Sequence, residues 1–119
     1  MNYSSVEDRL QNSDDWVGRS FWVLHESILA LNADIRVIRC TRGEGLGYKL
    51  TRRLICRIDP KQHDVAIGVT NDIRPEVKAT GRLREERKGK AWFNQRESNP
   101  QDESIRLIQA AFESVRASA

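Results

Sequence analysis

Residues 52–70 read RRLICRIDPKQHDVAIGVT. Leu54, Cys56 and Ile58 alternate with Arg53, Ile55 and Arg57; after Asp59-Pro60-Lys61-Gln62, Val65, Ile67 and Val69 alternate with Asp64, Ala66 and Gly68. Alternation with period two places successive side chains on opposite faces of a strand, so this stretch predicts two antiparallel strands joined by a tight, proline-marked turn. On this reading Leu54, Cys56 and Ile58 face a core. Arg53 and Arg57 then share the open face.

Outward from the hairpin, residues 35–41 (IRVIRCT) are β-branched and strand-like, and Tyr48-Lys49-Leu50 re-enters the sheet. Between them Arg42-Gly43-Glu44-Gly45-Leu46-Gly47 reads as a glycine-punctuated connection. Because it leads into a strand and not a helix, it lacks the converging amides of a phosphate cradle. Asn71 to Pro75 forms a turn, with Pro75 opening a short helix through Lys78. A charged connector, GRLREERKGK at 81–90, leads to a last strand, Ala91-Trp92-Phe93-Asn94-Gln95, whose aromatic pair suits a core.

Helices bracket the strands. Ser4 and Glu7 fit a capping box for a short helix through about Leu10. Ser13 is placed to cap a second helix with Asp14 and Asp15 in its first turn. Val17, Phe21, Leu24, Ile28 and Leu31 form its apolar stripe, which runs to Leu31 or Asn32. Asn99, Pro100 and Asp102 mark the start of a terminal helix buried through Ile105, Ile108, Phe112 and Val115. The fold class expected is α+β: one domain over residues 1–119, with helices packed on one face of a small antiparallel sheet.

Composition agrees with a globular chain: 119 residues, 39% hydrophobic and 31% charged. No run approaches a membrane span, and the polar, acidic N-terminal stretch resembles neither a secretory signal nor a transit peptide, so cytoplasmic residence without membrane association is expected. Cys40 and Cys56 read as reduced core cysteines. The net charge of +3 is unevenly spread: residues 1–34 hold six acids and two bases, whereas residues 35–62 hold eight bases and two acids. Positive charge therefore belongs to the strands. That asymmetry serves either to hold helices to the sheet through rim ion pairs or to attract an anionic partner.

No catalytic motif is recognisable. His25 reads as a helix-surface histidine and His63 as a turn histidine, without a serine or cysteine nucleophile beside either in a local motif. No cofactor fingerprint is present. Glu7, Asp8, Asp14 and Asp15 offer hard oxygen ligands for iron, calcium or magnesium, but their spacing matches no EF-hand and helix capping accounts for most of them, so no metal site is assigned. The stronger candidates are cations for anion binding: Arg36, Arg53, Arg57, Arg84, Arg87 and Lys88, followed in sequence by Trp92 and Phe93. Guanidinium groups beside aromatics suit phosphate contacts and base stacking. The same residues equally suit a solvated face balanced by Glu85, Glu86 and the acidic helices.

The order of an F-x-x-L-x-x-x-I helix, GYKLTRRLICRIDPKQHDVAIGV, a polar connector, WFNQ and LIQAAFESV resembles a bacterial domain of unknown function with the YdhG-like fold, over roughly residues 18–117. Tyr48 and the segment from Leu107 to Glu113 are the best local matches. Where the family often carries a glycine- and tryptophan-bearing segment, this chain has Arg84 to Lys90, without the tryptophan. The resemblance implies an α+β fold and no established catalytic residues. It allows three expectations: an uncharacterised non-catalytic binding or accessory domain; a nucleic-acid-associated module using a basic sheet face; or, since some relatives are described as frataxin-like, an iron-handling chaperone.

Overall fold

In a computed structural model, which describes residues 3–40 and 45–118, five strands form one sheet in the order of the chain. They are β1 (Ile35–Arg39), β2 (Leu46–Leu50), β3 (Arg53–Pro60), β4 (Val65–Val69) and β5 (Ala91–Gln95), and every neighbouring pair is antiparallel. Four α-helices accompany them: α1 (Ser4–Gln11), α2 (Asp15–Leu29), α3 (Arg74–Ala79) and α4 (Gln101–Ala117). The fold is α+β. A single 3-10 turn, Asn71–Ile73, links β4 to α3, capped by the Thr70 hydroxyl.

The apolar stripes meet largely as their spacing predicts, although α2 ends at Leu29, short of Leu31, and Leu31 and Ile105 are only partly buried at the edge of the core. Val17, Phe21, Leu24 and Ile28 of α2 and Ile108, Ala111, Phe112 and Val115 of α4 share one core with Leu46, Tyr48, Cys56, Ile58, Ile67, Val69 and Phe93 of the sheet. Helices α2 and α4 pack against each other and on β3 and β4, and α1 rests on α2 and β3. Burial of these side chains, each worth about 1.5–3 kcal/mol relative to exposure, is the main force joining the layers.

The first strand of the hairpin departs from simple alternation. Tyr48 pairs with Cys56, but Lys49 pairs with Leu54, so Ile55 is an extra residue on β3. Such a bulge reverses the facing of everything before it. Arg57 stays on the open face. Arg53, four residues earlier, crosses to the helix side, where it bonds the Ser118 hydroxyl at the end of α4 and Asp72 at 3.2 Å. Leu54, expected in the core, instead lies on the open face beside Gly47 and is half-buried. The proline turn also moves: β3 continues through Pro60, and the reversal is closed by Lys61 N–H donating to the Asp64 carbonyl at 2.8 Å.

Three expected caps are displaced. Tyr3, not Ser4, precedes α1. Asp14 is the N-cap of α2, while the Ser13 hydroxyl bonds the Arg9 carbonyl. Pro100 is the N-cap of α4, and Asn99 instead accepts from Arg96 N–H through Oδ1. The Ser13 and Asn99 side chains each bond backbone in their own turn, the usual competitor of capping.

Candidate functional site

Opposite the helices, one register row crosses the whole sheet: Ile38, Gly47, Arg57, Gly68 and Trp92. The two glycines explain how this face closes without helices. A Cβ at Gly68 would lie 2.8 Å from the Trp92 ring, so the indole lies flat on backbone that only glycine leaves bare. A Cβ at Gly47 would lie 2.9 Å from the Ile38 side chain, which fills that gap. Above Trp92 the Arg87 guanidinium stacks 3.4 Å from the ring centroid, with Lys90 Nζ 5.9 Å away. Glycine, indole and guanidinium thus form three layers, held by cation–π attraction.

Arg57 runs between the two glycines, and its Nε donates to Asp59 Oδ1 at 2.6 Å. The second Asp59 oxygen lies 3.8 Å from Arg87. Asp59 is 4% exposed, and Gly45 packs so tightly on its carboxylate that a Cβ there would overlap it. Two arginines therefore converge on one buried carboxylate and leave the cluster with a net positive charge. Burial disfavours the Arg57 cation, yet the hydrogen bond and charge of Asp59 outweigh this and raise its pKa. Arg87 moves down, chiefly through burial and against the attraction of Asp59. Cys40 lies within the field of Arg57, Asp59 and Lys90, but burial raises its pKa and disfavours the thiolate.

Of the six candidate anion ligands, four share this face. Arg36 sits on β1 opposite Lys49 and donates to the Thr51 carbonyl at 3.4 Å. Arg57 and Arg87 form the centre. Arg84 reaches Asn94 Oδ1 at 3.3 Å, on the same side of β5 as Trp92. Lys88 is exposed on the connector with no ion-pair partner among the described residues. Arg53 does not belong: the bulge places it on the helix side.

Three residues are placed otherwise than their sequence context predicts. Asp59, expected in the turn, lies within β3. Trp92, expected to share the core with Phe93, faces the opposite way as neighbours in a strand do, and only Phe93 joins the core. His25, expected at the surface, is buried on α2, with Nδ1 2.8 Å from the Tyr48 hydroxyl and edge contacts to the Tyr3 and Trp22 rings. Its spacing offered a signal: His25 falls one residue after Leu24 and four after Phe21, inside the apolar stripe. Burial lowers its pKa, so the imidazole is held neutral, and burial raises that of Tyr48. Neither group is accessible enough to act on a substrate.

The acidic residues do not assemble into a metal centre. Asp14 is bonded by His63 at 3.0 Å, and among the described residues no three histidine, cysteine or carboxylate side chains come together. The first half of the glycine-punctuated loop, residues 42–44, lies outside the described residues; β2 already begins at Leu46, and Gly45 and Gly47 serve close packing. Comparison with known proteins yields no relative: no family model, curated protein or solved structure matches the chain.

Proposed function

We propose that this chain is a non-catalytic binding module whose open sheet face receives single-stranded nucleic acid. The observation that carries the reading is the gathering of Arg36, Lys49, Arg57 and Arg87 on the one face that carries no helix, while Glu7, Asp8, Asp15 and Glu26 belong to the helical layer. Trp92 itself is covered by Gly68 and Arg87, so the groups offered to a ligand are the guanidiniums, which suit a strand whose phosphates they pair and whose bases stack on the Arg87 plane. The element order behind the YdhG-like likeness, from hairpin through connector to final strand and helix, supports placing the chain with those domains on the same footing. A cytoplasmic setting fits two free cysteines and the lack, among the described residues, of any helix long and apolar enough to cross a membrane.

Anisotropy of a labelled single-stranded oligonucleotide tests this. With about four phosphates neutralised, the logarithm of the affinity is expected to fall with the logarithm of salt at a slope near −3, and Arg57→Ala with Arg87→Ala to reduce that slope to about half. Absent or salt-insensitive binding at low ionic strength would remove the proposal. Equal binding of a heparin-like polyanion would replace nucleic acid by a less specific partner.

A further inference from the structure

Past the Trp92–Arg87 stack, towards the β3–β4 turn, the same face deepens into a cavity of about 520 Å³ between β5 and the 81–86 segment. That volume falls within the roughly 300–1,000 Å³ of small-molecule sites. One wall is a chain of hydrogen bonds. Arg84 Nε donates to Glu86 at 2.6 Å, Arg84 Nη1 donates to Asn94 Oδ1 at 3.3 Å, and Asn94 Nδ2 donates to Asp64 Oδ2 at 2.9 Å. Each link orients the next, and the Asn94 amide has its oxygen towards the arginine and its nitrogen towards the carboxylate.

This wall is not exhausted by its own bonds. Among the described residues, Asp64 Oδ1 and Arg84 Nη2 take part in no hydrogen bond. The wall therefore presents an acceptor and a charged donor with the Asn94 amide between them. Also lining the cavity is Arg96, whose backbone is fixed by Asn99 at 2.9 Å and whose side chain has no partner among the described residues. A carboxylate accepts from exocyclic base amino groups, and a guanidinium donates to ring-nitrogen or carbonyl acceptors. A second guanidinium suits a phosphate.

We infer that this cavity holds one nucleotide whose base carries an exocyclic amino group, with the amino group on Asp64, a neighbouring base acceptor on Arg84 and the phosphate on Arg96. The inference rests on the nucleic-acid reading of the open face and gives it base selectivity. Uracil, which has no exocyclic amino group, is the discriminated base.

Titration calorimetry of the full chain with the cytidine, guanosine, adenosine and uridine monophosphates, and with inorganic phosphate, provides the test. The amino-bearing nucleotides are expected to bind about tenfold more tightly than uridine monophosphate. Asp64→Asn, which keeps an acceptor for Asn94, should narrow that gap, whereas Arg96→Ala should weaken all four nucleotides alike. Equal affinity for the four nucleotides and for phosphate would overturn the base contacts. If oligonucleotides bind with the expected salt slope but mononucleotides do not, the cavity assignment fails and the open-face reading stands. If mononucleotides bind selectively while oligonucleotides do not bind, the open-face reading fails instead. No binding of either removes both.

Discussion

Arg53 and Arg57 stand four residues apart on one strand and have opposite fates. Arg57 lies across the open face, 18% exposed in its side chain, bonded to a carboxylate that is itself 5% exposed. Arg53 sits at the rim of the helical layer, where it and Asp72 are each more than two-fifths exposed. The cause is a single inserted residue, Ile55. An ion pair's worth depends on what surrounds it, so two like residues in one strand need not be interchangeable.

The largest effect should come from the helical side of the sheet, against which the open face is measured. Phe21→Ala, at a fully buried site, is expected to cost about 3–5 kcal/mol in chemical denaturation. A change within about 0.5 kcal/mol, the range of surface positions, would show that the layer does not depend on this contact.

The two arginines then sharpen the contrast. Arg57→Ala strands the Asp59 carboxylate with only the more distant Arg87, and a loss of about 1–3 kcal/mol is expected, below that of a wholly buried pair because Arg57 keeps some solvent. Arg53→Ala should cost less than about 1 kcal/mol. Only the Arg57 variant should also weaken oligonucleotide binding. Equal losses of stability and of binding from both would contradict the bulge.

A smaller, pH-dependent difference should mark the buried His25–Tyr48 pair. Burial holds the His25 pKa below its ordinary 6.5 in the folded chain. Below about pH 6.5 the unfolded chain gains a proton that the folded chain refuses, so stability present at neutral pH declines as pH falls towards the folded value, by at most about 1.4 kcal/mol per pH unit. Thermal or denaturant unfolding of His25→Gln should lack this component and show a flatter profile. Parallel profiles for the two proteins would mean that His25 titrates alike folded and unfolded.

Legibility followed the range of the interaction. The stripe from Val17 to Ile28, the alternation from Val65 to Val69 and the apolar face of α4 are local periodicities, and each alone determined an element, its type and its buried side. The basic bias of residues 35–62 likewise placed positive charge on the strands. Facing within β3 could not be read this way, because a bulge leaves no local mark when the inserted residue, Ile55, is as apolar as its neighbours. Nor could the open-face cluster. Arg57, Asp59, Arg87 and Trp92 come from two strands and a connector, and their meeting depends on Gly68 standing opposite Trp92 in register. Periodic burial needs only neighbours three or four places away, so the chain itself carries it; convergence of charges on one carboxylate needs strand register, which exists only once the sheet has closed.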